Sequence, residues 1–355
     1  MGLIIPKLNN GYTEFGGGYF RDSGGNVNKI GGMYYSNGKG NIYKIFSSYT
    51  GKNYKIGTPI SGFKNLWSLA CAPDGTLLAG TNAGYNNGSS QVFRILPNST
   101  SPIPNSLGAS HAFEVITWDE HTQCFYAGTA DPGVNCYDKN LNFKWYRPLS
   151  GYGNVVYDII CIPDPSSNLS MIVVGTDTGN AVIIPSDNSS INSVPVSQEI
   201  DALAYNQNNS GTPMVGIGCP DGLHLWYSNS GSPQTSNFSR SISAMSYNPK
   251  NNLFYVGGDK ASYVYSVTID GNTTKQTITT DSNITAMCID KDGMVYAGLD
   301  NGEVQKINYK DGSIIWTVSS GSLGISYIQH ICIDDSYNLY AVGPNNSVIN
   351  KILQS

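Results

Sequence analysis

Glu114, Asp158 and Asp201 are the side chains of this sequence with the most chemistry to offer. Each stands second in a short alternating segment of β character, after Phe113, Tyr157 and Ile200. Carboxylates gathered on one surface would hold a hard cation, because Ca²⁺ takes several oxygen ligands at once. The three residues are therefore a candidate metal site, with Ca²⁺ as the candidate ion. A solvated polar wall is the other reading of the same residues. His330 lies in an equivalent segment and could act as a general base if it faced the carboxylates; a hydrogen-bonded structural histidine would look the same in sequence. No G-x-S-x-G elbow, phosphate-binding loop or H-E-x-x-H pair occurs, so no catalytic residue and no organic cofactor is assigned. The seven cysteines are odd in number and include no C-x-x-C pair, which predicts neither a disulfide framework nor a zinc site.

The element that must position these residues is a repeat. Its clearest copy opens with an alternating strand at 284–290, turns at Asp292-Gly293, and continues with Met294-Val295-Tyr296-Ala297-Gly298. After Asn301-Gly302 comes a third strand at 303–307, and after Asp311-Gly312 a fourth holds Ile314-Ile315-Trp316. Asn-Gly and Asp-Gly pairs are hairpin-turn chemistry because both residues tolerate positive φ. The glycine ending the second strand serves as a ruler: Gly32, Gly80, Gly128, Gly175, Gly216, Gly257, Gly298 and Gly343 are separated by 48, 48, 47, 41, 41, 41 and 45 residues. That is the period of a four-stranded blade.

The sequence thus predicts an all-β chain, one β-propeller domain over 1–355, built from four-stranded antiparallel blades. Eight marks predict eight blades; because the first copy is degenerate, seven blades with an N-terminal extension is the alternative. The chain ends on what reads as a third strand, and a propeller must close or leave exposed sheet edges. Leu3-Ile4-Ile5 is the expected closing strand.

Stacking the opening strands gives columns. The first reads Trp67, Phe113, Tyr157, Ile200, Ile242, Ile284, Ile328, and the second reads Ser68, Glu114, Asp158, Asp201, Ser243, Thr285, Gln329. The second is polar in every copy and should line a central channel, which places Glu114, Asp158 and Asp201 in an arc at its mouth. In an even eight-blade ring His330 falls across the ring from Asp158. The fifth column holds Cys71, Cys161, Cys288 and Cys332 as small packed residues, leaving Cys124, Cys136 and Cys219 without an evident partner.

The stretch 295–304 followed by 311–316, and a second copy with Tyr126-Ala127-Gly128, Val134-Asn135-Cys136-Tyr137-Asp138 and Phe143-Lys144-Trp145, resembles the repeat of the quinoprotein-like (PQQ-like/YVTN) propellers. The resemblance covers most of the chain as blade pattern. It implies that Trp145 and Trp316 pack between neighbouring blades. Quinone-dependent members carry an adjacent Cys-Cys pair that this chain lacks, so no quinone is expected. Fold does not dictate activity here, because propellers host many.

Composition bounds the function. Charged residues are 13 % of the 355, with net charge −5 and no basic stripe, which speaks against nucleic acid. No run is long and apolar enough for a membrane span, and the first residues do not form a signal peptide. Low charge with Asn-, Ser- and Tyr-rich loops suits a non-enzymatic binding or structural propeller on a cell surface, filament or virion, with protein partners, self-assembly or a glycan as its contacts. The candidate contact loops are Gly84 to Ser90, Pro97 to Ser110 and Asp187 to Val196. A channel-mouth, metal-dependent lactonase or lyase and a cytosolic interaction scaffold are the alternatives.

Overall fold

The computed structural model describes the backbone of four short strands before residue 53 and, from there on, all residues except 83–89, 106–111, 165, 197, 207–213, 228–230, 259–260, 345 and 355. The chain divides into two compact units, Met1–Asn53 with Gln354–Ser355, and Tyr54–Leu353. In the first unit Tyr19–Arg21 pairs antiparallel with Val27–Lys29, and Gly32–Ser36 with Ile42–Ser47. The degenerate first copy of the repeat falls in this unit; Leu3-Ile4-Ile5 lie outside the described residues.

The second unit is built from antiparallel sheets. Among the described residues, five have four strands each, in chain order. Repeat 2 runs Phe113–Asp119, Cys124–Thr129, Gly133–Asp138, Phe143–Pro148, and repeat 3 runs Val156–Pro163, Ser170–Thr176, Asn180–Pro185, Asn192–Pro195. Repeat 4 runs Ala202–Tyr205, Met214–Cys219, Gly222–Tyr227, Gln234–Thr235. Repeat 5 runs Ala244–Asn248, Leu253–Gly258, Ala261–Thr268, Thr274–Thr279, and repeat 6 runs Ile284–Ile289, Val295–Leu299, Val304–Ile307, Ile314–Val318. An eight-stranded sheet holds the rest. Repeat 1, its first half, is Ile60–Cys71, Leu77–Thr81, Val92–Ile95 and Ile103–Pro104; repeat 7, its second half, is His330–Ile333, Leu339–Val342 and Asn346–Gln354, with Tyr54–Ile56 on the edge. The halves join where Asn346, Val348 and Ile349 pair with Leu66, Ser61 and Ile60.

The position expected for Leu3-Ile4-Ile5, beside Asn346–Gln354, is therefore taken among the described residues by Tyr54–Ile56. That segment feeds directly into the opening strand of repeat 1. The Tyr54 hydroxyl donates to the Thr317 carbonyl at 3.0 Å, and its ring centre lies 5.2 Å from that of Trp316.

Turn chemistry follows the sequence. Gly293, Gly302 and Gly312 have φ of +89°, +81° and +74°, a region costly for other L-residues. Asp290 fixes the turn before Val295–Leu299 by accepting the backbone N–H groups of Asp292 and Met294, both at 2.9 Å. Asp334 does the same for Ser336 and Asn338 in repeat 7. Two of the expected contact loops contain outermost strands, Ile103–Pro104 and Asn192–Pro195. These strands are mostly exposed, so they carry almost none of the apolar alternation that marks a strand in sequence. Most of the third, Gly84 to Ser90, lies outside the described residues.

The glycine ruler has a packing cause. A Cβ on Gly128 would fall 2.4 Å from Val156 Cγ1, and one on Gly298 2.4 Å from Ile328 Cγ2. In each case an apolar residue at, or two places before, the start of the next opening strand sits on the bare backbone. Phe113 covers Gly80, Ile200 covers Gly175 and Ile284 covers Gly257 in the same way. In repeat 4 the covered residue is Gly218, beneath Ile242, rather than Gly216. In repeat 7 the equivalent of the mark is Val342, paired with His330, rather than Gly343. Each opening strand packs beside the next, and His330–Ile333 packs beside Ile60–Cys71. Trp145 sits among apolar residues of repeats 2 and 3, its indole N–H donating to the Ser186 carbonyl at 3.0 Å; Trp316 sits between repeats 6 and 7. Both tryptophans bridge neighbouring sheets, as the repeat pattern implied.

Candidate functional site

The opening strands converge on a cavity, and a small irregularity decides which side chains enter it. Their ladders skip a residue between Leu66 and Ser68, Phe113 and Val115, Val156 and Asp158, and Ile284 and Ala286. The skipped residues are Trp67, Glu114, Tyr157 and Thr285. A β-bulge re-aims the side chain of its extra residue. Asp201, Ser243 and Gln329 occupy the matching place, since their backbone N–H groups donate to Gly218, Gly257 and Val342 at 3.0, 2.9 and 2.8 Å. All seven residues line one cavity of about 710 Å³.

This geometry corrects the polar column. Trp67 and Tyr157 belong to the cavity-facing position, while Ser68 and Asp158 stand one place further along. The bulge inserts one residue without changing the apolar pattern on either side, so stacking by hydropathy slips by one in repeats 1 and 3.

Glu114, Asp158 and Asp201 line the same cavity, and Glu199, which the sequence did not single out, joins them. Glu114 is pushed above the usual carboxylate range by burial, an effect the neighbouring Trp67 indole partly offsets. The Trp67 N–H is itself buried and lies beside that carboxyl, short of full hydrogen-bond geometry. Asp158 is pushed up to about 7 by burial, opposed by the N–H groups of Leu203 and Ile159. Those donors reach its two oxygens at 2.6 and 2.8 Å, so Asp158 ties repeat 3 to repeat 4. The Tyr157 phenol is raised first by burial and then by Glu199, Asp177, Asp201 and Glu114, and it is 39 % exposed at the mouth. Tyr327, also exposed, adds a further aromatic ring, and among the described residues no Lys or Arg lines the cavity.

The structure brings His330 to the same cavity as the carboxylates. It lines the cavity with Asp158, and its Nε2 lies 3.2 Å from the Glu114 carbonyl oxygen. Burial pushes its imidazole down to about 4, leaving it neutral at pH 7. The other half of the cavity is occupied differently. Ser243 donates to the Ile284 carbonyl at 2.9 Å and Thr285 to the Ile328 carbonyl at 2.5 Å, each stapling its strand to the next repeat.

The cysteines are free thiols. Cys71 and Cys332 line a second cavity of about 330 Å³ together with His330 and Asp158. Cys124 and Cys136 lie on adjacent strands, and the Lys144 ammonium reaches Cys124 Sγ at 3.4 Å. Cys219, read in sequence as unpartnered, has Asp221 and His224 beside it. Among the described residues these three form the one group of three or more His, Cys, Asp or Glu whose ligand atoms all lie within 4.8 Å of one another. The signal available in sequence was the run Cys219-Pro220-Asp221-Gly222-Leu223-His224, which matches no common zinc spacing. Glu114, Asp158 and Asp201 share a cavity without forming such a group.

No protein-family model matches the chain, and no curated protein matches it.

Proposed function

We propose that this protein is a non-enzymatic recognition propeller whose seven repeats close into a ring, with repeat 7 completed by Tyr54–Ile56. Its cavity receives an organic cation, the Lys or Arg side chain of a protein partner. The observation that carries this reading is the cavity wall: Glu114, Glu199 and Asp201 stand with Trp67, Tyr157 and Tyr327, and among the described residues the lining includes no Lys or Arg. Low-dielectric walls of one sign concentrate counter-ions, and aromatic faces add cation–π attraction worth about 0.5–2 kcal/mol. Ca²⁺ fits less well, because it needs oxygens gathered within one coordination sphere and Asp158 already spends both of its oxygens on backbone N–H groups. A channel hydrolase would need a mobile base, whereas His330 is half-buried and bonded to a carbonyl. The low charge and neutral loops accord with a surface or assembly subunit that meets its partner outside the cavity as well.

Calorimetric titration with trilysine, triarginine and acetylated trilysine tests this directly. The wild type binds the two charged peptides, and E114Q/D201N weakens them at least about tenfold, or 1.4 kcal/mol. Equal binding by the variant, or binding of Ca²⁺ in place of the peptides, overturns the reading.

A further inference from the structure

We propose that Cys219, Asp221 and His224 form a binding site for a borderline transition-metal ion, Zn²⁺ above all. The site is built by one hairpin. Cys219 ends the strand Met214–Cys219, and His224 lies on the partner strand Gly222–Tyr227. Cys219 pairs with Gly222 and Ile217 with His224. His224 is two residues from Gly222, so the Cys219 and His224 side chains project from the same face of the sheet. Asp221, in the turn, folds over that face, and its Oδ1 lies 2.9 Å from His224 Nε2. The turn has little freedom: Gly222 has φ of +140°, and a Cβ there would meet the Phe238 carbonyl oxygen at 2.2 Å.

The donor set selects the ion. A thiolate, an imidazole and a carboxylate suit Zn²⁺ and its neighbours, whereas Ca²⁺ and Mg²⁺ prefer oxygen alone. Three protein ligands with a fourth position for water is a recurrent zinc arrangement. Cys219 and His224 are 0 % and 6 % exposed, while Asp221 is exposed and can swing onto an arriving ion. Thr235 Oγ1 lies 3.4 Å from His224 Nδ1, where it can accept the ring N–H and leave Nε2 as the ligating atom. The competing arrangement is a plain His224–Asp221 hydrogen bond that caps the hairpin and leaves Cys219 as packing. Neither Cys219 nor His224 lines the cavity described above, so the two proposals stand or fall separately.

The test is titration of the chelator-stripped, full-length protein with Co²⁺. One Co²⁺ per chain is expected, giving a near-ultraviolet thiolate-to-metal charge-transfer band and strong visible d–d bands, all displaced by Zn²⁺. C219S loses the charge-transfer band. D221N, at an exposed position that leaves metal-free folding intact, weakens Co²⁺ binding at least about tenfold, and it keeps the test decisive if C219S does not fold. A protein that saturates without a thiolate band, or a band unchanged in both variants and so due to another cysteine, overturns the site.

Discussion

The cavity has two arcs built from one structural position. On repeats 5 and 6 the cavity-facing residue is Ser243 or Thr285, and its hydroxyl is spent on a carbonyl of the next opening strand. On repeats 1 to 4 the same position holds Trp67, Glu114, Tyr157 and Asp201, side chains far larger than a staple requires. The first arc shows what the position does when it serves the scaffold alone. A half-buried carboxyl and a buried indole N–H short of full hydrogen-bond geometry on the second arc each cost stability. The fold repeats; the chemistry is confined to one side.

The comparison assumes that the wall behind both arcs is the same, and the largest expected effect tests that assumption. Gly128→Ala lies behind the acidic arc and Gly298→Ala behind the stapled one, each with a methyl carbon placed 2.4 Å from the next repeat. Both should cost on the order of 3 kcal/mol in urea unfolding. Unequal costs would mean that the arcs differ in backbone packing and not only in side chains.

The second effect follows from pH. The folded-state value of Asp158 is about 7 against an ordinary 3.8, so the folded protein holds this proton more tightly than the unfolded chain. Its contribution is fully present below the unfolded value and is lost as pH rises through about 7. His330 runs the other way: with a folded value of about 4 against 6.5, its contribution is full above the unfolded value and is lost as pH falls through about 4. Comparing wild type with D158N cancels the histidine. From pH 5 to pH 8 the stability of D158N relative to wild type should rise by about 2–3 kcal/mol. A difference that stays flat with pH would show that Asp158 ionises normally in the folded protein.

How much of this was legible in sequence depends on what each residue is for. The repeat was readable because its glycines answer to a packing demand made once per sheet, Val156 on Gly128 and Ile328 on Gly298 being two instances. The turns were readable because Gly293, Gly302 and Gly312 must take positive φ. Glu114, Asp158 and Asp201 were all legible as cavity residues, Asp158 from one place further along its strand than the other two. A bulge is invisible to hydropathy, so Trp67 and Tyr157 were filed with the core. The outermost strands were missed where exposure removes alternation, as at Asn192–Pro195. Cys219 looked solitary because its partners are brought to it by strand register and a two-residue turn, not by a recognised spacing.

Exchanging roles between the arcs gives a smaller effect. S243A and T285V each remove one hydroxyl and should cost about 1 kcal/mol of stability while leaving trilysine binding unchanged. E114Q/D201N should weaken peptide binding at least about tenfold, the larger of its two effects. A shared response in both pairs would dissolve the distinction between staple and site.

The smallest effect isolates a single hydrogen. W67F keeps most of the ring while deleting the buried indole N–H that lies beside Glu114, short of full hydrogen-bond geometry. Removing this buried donor relieves its desolvation cost but gives up its pull on Glu114, and the cavity left is slight, so stability should change by less than about 1 kcal/mol. The same N–H partly offsets the burial of Glu114. In the variant the Glu114 carboxyl therefore titrates at higher pH than in wild type, observable by carbon-detected NMR of the labelled side chain. An unmoved Glu114 titration would place the indole outside the field of that carboxylate, and the aromatic and acidic halves of the arc would then have to act on the ligand independently.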